Sequence, residues 1–138
     1  MNRIYFCLLL VICSLFPGTP VLANDQQNLV VAAASDFTTL VDADNFLAAY
    51  WSGSELLRLA NDEREWTAQQ ERAQVLVGKV TKRTLKAVRS IQTYPGLPDG
   101  DYVLIYFETR TTYKAKAAEV LLLRDDQGLY QVCSYSIR

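Results

Sequence analysis

The sequence of 138 residues contains no histidine. The commonest general base and zinc ligand are therefore both missing, and Ser-His-Asp or Cys-His nucleophile devices are excluded. Glycine is sparse, with six in the chain, and no glycine-rich loop follows a predicted strand, so no phosphate cradle is expected. Cysteine is limited to Cys7, Cys13 and Cys133. The first two fall in a segment expected to be removed, which leaves one thiol and no possible intrachain disulfide. Such a chain stands on its hydrophobic core even in an oxidising compartment. Cys133 reads as a small core residue of a strand, with an intermolecular disulfide as the sharper alternative.

One long apolar run is present, and it lies at the start. Arg3 supplies a positive flank, Ile4 to Phe16 is almost unbroken apolar sequence, and Pro17, Gly18 and Pro20 then break any helix. Val21-Leu22-Ala23 offers the small residues a signal peptidase reads, so residues 1–23 are expected to be a cleaved signal peptide. The run is too short to span a bilayer comfortably. Cys13 lies inside it behind Ile12, which argues against a lipidated cysteine. Residues 24–138 then form a single domain of periplasmic or secreted location, with no membrane insertion after cleavage. Loss of Arg3 leaves 13 basic and 15 acidic residues, a formal charge of −2. That balance gives no electrostatic pull toward nucleic acid.

The first half has helical periodicity. Val30, Ala33, Ala34, Phe37, Leu40 and Val41 predict an amphipathic helix over about Leu29–Val41, after a frayed polar start at Asn24–Gln27. Asp44 is placed to N-cap a short helix carrying Phe46, Leu47 and Tyr50. Ser52-Gly53-Ser54 breaks the chain again before a turn or two with Leu56, Leu57 and Ala60. Asp62 with Glu65 forms a capping-box signature for a helix from Glu63 to about Leu76. Its stripe of Trp66, Ala73 and Val77 is interrupted by Gln69 and Gln70, so that face is only partly sealed.

From Gly78 onward the period is two. Strands are predicted over Lys79–Ile91, Tyr102–Tyr113, Lys116–Arg124 and Leu129–Ile137. A Pro-Asp-Gly turn precedes the second, and Asp125–Gly128 makes a hairpin loop before the last. Helices followed by hairpin-joined strands predict an α+β fold, with N-terminal helices packed on a curved, cone-like, four-stranded antiparallel sheet.

The candidate chemistry is modest. Asp42, Asp44 and Asn45 superficially resemble the start of a calcium loop, but its glycine and distal glutamate are absent, and helix capping is the ordinary explanation. Glu119 sits between Ala118 and Val120 in an apolar strand, sharing a face with Leu121 and Leu123. A buried carboxylate must be paired or neutralised. Arg83, on a strand face with Leu85 and Ala87, is the expected partner in a structural ion pair. Glu108, Glu119, Tyr102, Tyr106 and Tyr135 supply material for a carboxylate–tyrosine proton-transfer device, although alternating acids and tyrosines are more often cross-strand pairs. Lys79, Lys82, Lys86 and Arg89, with Arg83, charge one strand without a single acid. These cations either protect a sheet edge or form a surface for an acidic partner.

Several of these residues together resemble a known family. Trp66, Arg72, Gly78 and Arg83 are similar to the tryptophan–arginine–glycine–arginine framework of a bacterial family of unknown function, number 4019. Leu97-Pro98-Asp99-Gly100-Asp101-Tyr102-Val103 resembles its turn into the central strand. Ala118-Glu119-Val120 and Gly128-Leu129-Tyr130-Gln131-Val132, followed by Tyr135 and Ile137, fit the two closing strands, and Leu40-Val41-Asp42 the end of the first helix. Tyr130 and Ser134 depart from it, standing where the family tends to have tryptophan and glycine. The resemblance covers about residues 30–138. It implies an exported single-domain protein related in shape to the nuclear-transport-factor-two and ketosteroid-isomerase architecture, and it brings no established activity.

Three functions follow as expectations. The first is a non-catalytic periplasmic module that binds another protein or itself through the Lys79, Lys82, Lys86 and Arg89 strand. The second is a binder of a small apolar ligand in the helix–sheet cleft, lined by Phe37, Trp66, Tyr106 and Phe107. The third is a carboxylate–tyrosine isomerase or dehydratase, ranked last, so an enzyme is the less expected outcome. No catalytic or metal constellation and no cofactor is expected.

Overall fold

The computed structural model describes residues 22–138. Nearly all of the expected signal peptide, residues 1–21, lies outside the described residues. Four helices come first, α1 (Asn24–Asp42), α2 (Phe46–Ser52), α3 (Glu55–Ala60) and α4 (Glu63–Val77). Four strands follow, β1 (Val80–Ile91), β2 (Tyr102–Thr111), β3 (Ala117–Asp126) and β4 (Leu129–Ile137). They form one antiparallel sheet in the order β1-β2-β3-β4. The architecture is α+β, with the helices contributed by the N-terminal half.

α1 starts five residues before the expected Leu29. Its first turn is polar and exposed, so it carries no apolar periodicity, while Asp25 there favours the positive end of the helix dipole. Val30, Ala34, Phe37 and Val41 recur along one face and are buried, as a core-facing stripe requires. Asn45 rather than Asp44 caps α2, its side chain accepting from the Ala48 amide at 3.3 Å. Ser54 caps α3 and Asp62 caps α4, the latter accepting from the Glu65 amide at 2.8 Å. α4 ends at Gly78, whose φ of 83° lies in glycine's territory. A Cβ there would overlap the Thr112 hydroxyl and the Tyr113 ring, so this close approach of helix to sheet needs the bare backbone.

The core lies between the helices and one face of the sheet. Val103, Ile105 and Phe107 of β2, Leu121 and Leu123 of β3, and Val132 and Tyr135 of β4 meet Phe37, Tyr50 and Trp66. Trp66 is 1 % exposed, and its indole N–H donates to the Phe46 carbonyl at 3.0 Å, fixing α4 to α2. Phe37 meets Trp66 edge-on with ring centroids 6.0 Å apart, and Tyr135 lies 5.6 Å from Phe37. Such pairs add to their area burial.

Three register shifts interrupt this sheet. Two lie in β1, between Val80 and Lys82 and between Leu85 and Ala87, and the third in β4 against Leu122/Leu123. A bulge re-aims the side chains beyond it. Arg83 and Leu85 therefore share the core face, whereas Ala87 pairs with Tyr106 and does not share it, contrary to simple alternation. The β4 bulge holds Cys133, which is buried and donates its S–H to the Leu122 carbonyl at 3.2 Å. β3 and β4 join through Gln127 and Gly128, both at positive φ, the pattern of a tight two-residue hairpin whose twist matches the strands.

Burial pushes the Cys133 thiol up from 9.0 to about 11. The unfolded chain thus gives up this proton at lower pH than the folded one. Its contribution is fully present below pH 9.0 and is lost as pH rises to about 11, which is about 2–3 kcal/mol by linkage. Urea titrations from pH 8 to 11 are expected to show this decline, and Cys133→Ala to flatten its first part, before the tyrosines ionise. An unchanged slope in Cys133→Ala would show that the thiol is not its source.

Candidate functional site

The polar chemistry of the fold converges on one buried carboxylate. Glu119 is 0 % exposed, because β3 alternates it onto the core face with Leu121 and Leu123. Its oxygens are fully engaged. Oε2 accepts from Arg83 Nε at 2.6 Å and the Thr109 hydroxyl at 2.9 Å. Oε1 accepts from Arg83 Nη2 at 2.9 Å and the Tyr135 hydroxyl at 2.8 Å.

Arg83 reaches this position because β1 pairs it with Thr109, beside Phe107, the cross-strand neighbour of Glu119. The remaining edge of its guanidinium meets Asp42 at the end of α1, with Nη1 to Oδ2 at 2.5 Å and Nη2 to Oδ1 at 2.7 Å. One planar cation thus makes two paired contacts with carboxylates from a helix and a strand, a geometry that lysine cannot reproduce. Burial acts against the charged form of Arg83, but Asp42 and Glu119 outweigh it and hold the guanidinium firmly protonated. Burial, reinforced by the Glu119 charge, pushes the Tyr135 hydroxyl well up, so it stays a donor.

Beside this network is a corner cavity. It is lined by Val41 and Asp42 of α1, Gln70, Gln74 and Val77 of α4, Lys79, and Tyr135 and Ile137 of β4, among others. At its mouth Asp44 accepts from Lys79 Nζ at 2.6 Å and Gln74 Nε2 at 2.5 Å. These two hydrogen bonds hold the Asp44 carboxyl below the usual carboxylate range. Asp42, Asp44 and Asn45 thus serve an ion pair, a surface cluster and a helix cap. No metal-holding group of His, Cys, Asp or Glu occurs among the described residues.

The four residues expected to line a helix–sheet cleft are not brought together. Phe37, Trp66 and Phe107 belong to the buried core cluster, whereas Tyr106 alternates to the opposite face and is half-buried. On that face Leu104, Tyr106 and Val120 are partly accessible. Register places Arg89 opposite Leu104, and Lys82 opposite Arg110. Lys86 reaches Glu108 at 3.8 Å. Lys79, Lys82, Lys86 and Arg89 are all exposed, but Lys79 turns to Asp44 at the cavity mouth. The loop before β2 covers only one end of this face, through Tyr94 and Leu97 packed near Tyr102 and Leu122.

Residues 33–135, from the middle of α1 to near the end of β4, match the family model described as "Protein of unknown function (DUF4019)". The chain belongs to the DUF4019 family. No curated protein matches it. The DUF4019 segment takes in Asp42, Arg83, Thr109, Glu119 and Tyr135, the whole buried network. Asp42 and Thr109 were not singled out by sequence reasoning as members of it. An acid in the last turn of a helix is unfavourable beside the carbonyl ends, and that was the available signal for a nearby cation.

Glu119→Gln is expected to lower stability by roughly 3 kcal/mol, because one partner of a buried ion pair is removed. Asp42→Asn, with a side chain 34 % exposed, is expected to cost about 1 kcal/mol. Chemical denaturation of both variants measures the difference. Equal midpoints for wild type and Glu119→Gln would show that the pair does not support the fold.

Proposed function

We propose that this DUF4019 protein is an exported, non-catalytic module that binds an acidic segment of another protein on the open face and β1 edge of its sheet. The observation carrying this reading is the sheet face away from the helices. Half-buried Leu104, Tyr106 and Val120 lie there beside Lys82, Lys86, Arg89 and Arg110, with Glu108 as the acid among them. Apolar contact would supply affinity, and the cations would select and steer the partner. β1 is an edge strand, so its free backbone groups are open to strand addition. The same cations oppose a second copy, since a two-fold contact on this face would bring like charges together.

The other two readings have less support. The centre of the helix–sheet space is filled by the Phe37–Trp66–Tyr135 cluster, so the expected residues share no common cleft: Phe37 borders an open groove between α1 and β4, and Trp66 a separate one beside α3. Glu119 accepts four hydrogen bonds within the protein, which leaves it poorly placed to move a proton to a substrate. Export rests on Arg3, the Ile4–Phe16 run and Ala23 in the sequence. The start of α1 at Asn24 is consistent with cleavage there. No described helix is long and apolar enough to cross a membrane.

Screening of displayed ten-residue peptides is expected to select sequences that alternate Asp or Glu with aliphatic or aromatic residues. Their affinity should fall with added salt. The variant Lys82→Glu/Lys86→Glu/Arg89→Glu is expected to lose binding by more than about tenfold while keeping its melting temperature within a few degrees. Selection of peptides without acids, or equal binding by the charge-reversed variant, would overturn the reading.

A further inference from the structure

The corner cavity holds a polar group with no protein partner. Gln70 lies in the second turn of α4 and is 6 % exposed. Among the described residues its side-chain amide makes no hydrogen bond, yet none of the side-chain polar atoms there is both sealed and unpartnered. The amide therefore opens onto the cavity that Gln70 lines. An apolar residue would complete the α4 stripe of Trp66, Ala73 and Val77, whereas Gln70 presents an amide to the cavity instead.

The charges around the cavity are unbalanced. Arg83 carries one positive charge between the two carboxylates Asp42 and Glu119. Lys79 is matched by Asp44 at 2.6 Å. One net negative charge is left over, and Asp42, whose side chain is 34 % exposed, is the member of the trio that lines the cavity. Anions are repelled from such a site, and neutral alcohols gain nothing from the charge. The remaining wall is apolar, formed by Val41, Phe46, Val77 and Ile137 among others. The cavity has a volume of about 50 Å³ and is open at its mouth. It admits an ammonium head and its first methylenes, with the rest of a short stem running out through the mouth.

We propose that the cavity binds a primary alkylammonium group, its head between the Gln70 side-chain carbonyl and the Asp42 carboxylate and its stem along Val41, Phe46, Val77 and Ile137. A free short-chain amine and the lysine side chain of a partner share this chemistry. The site lies on the helix side of the protein and does not depend on the sheet-face reading.

Titration of the ¹⁵N-labelled protein with n-butylammonium chloride tests the site, with sodium butyrate and n-butanol as controls. n-Butylammonium is expected to produce saturable amide shifts confined to the end of α1, the start of α2, the Gln70–Val77 part of α4, the start of β1 and the end of β4, while the two controls produce none. Gln70→Leu, which fills the cavity and removes the acceptor, is expected to weaken binding by about tenfold or more. Ala73→Met, which narrows the cavity without touching the acceptor, should weaken it too and guards against misfolding of the first variant. Nα-acetyl-lysine methylamide separates the two sources. Tighter binding than n-butylammonium assigns the site to a partner lysine, and weaker binding assigns it to a free amine. Absence of saturable shifts with both amines would mean that only water occupies the cavity and would overturn the proposal, as would equal shifts with n-butanol.

Discussion

One guanidinium decides how the two halves of this protein meet. β3 is apolar enough to be drawn into the core, and it carries Glu119 with it. A carboxylate in that position is tolerable only when charge and hydrogen bonds compensate it. Arg83 supplies the charge, Thr109 and Tyr135 the remaining donors. Because the same guanidinium grips Asp42, the compensation also fixes where α1 ends against the sheet. A hydrophobic replacement of the trio can match its net stability, but it would not set the angle and register of that contact. Hydrophobic burial drives the association of helices and sheet, while the ion trio selects one arrangement.

Much of this was legible in the sequence. The change of period at Gly78 separates helices from strands, and Asp62 with Glu65 marks the start of α4. Glu119 stands out because an acid in an apolar strand needs a partner, and Arg83 occupies that role in the fold. The face assignment behind Arg83 was nonetheless incomplete, since the bulge after Leu85 turns Ala87 away. A one-residue insertion in a strand leaves no trace in composition. A cleft shared by Tyr106 and Phe107 conflicts with the strict alternation of β2, which puts neighbours on opposite faces. The start of α1 was missed for another reason, because an exposed polar turn has no hydrophobic period to read.

The two faces of the sheet carry different burdens. The inner face is closed at its centre by aromatic and aliphatic packing and by a satisfied polar network, and it leaves space at its margins, where the corner cavity lies. The outer face keeps cations and half-buried apolar groups in contact with solvent. Positive charges along β1 also discourage pairing with another copy of the same edge. A surface can in this way reject its own kind and still receive a chain of opposite charge.

The bulge at Cys133 has a practical consequence. A chain without residues 1–23 has Cys133 as its sole cysteine, and that thiol lies sealed against the Leu122 carbonyl. A scaffold of residues 24–138 is therefore silent toward maleimide dyes and spin labels. A single cysteine placed at exposed Ser136 would be the one reactive handle on the molecule, and would carry a fluorophore or nitroxide on the sheet without any need to remove the natural residue.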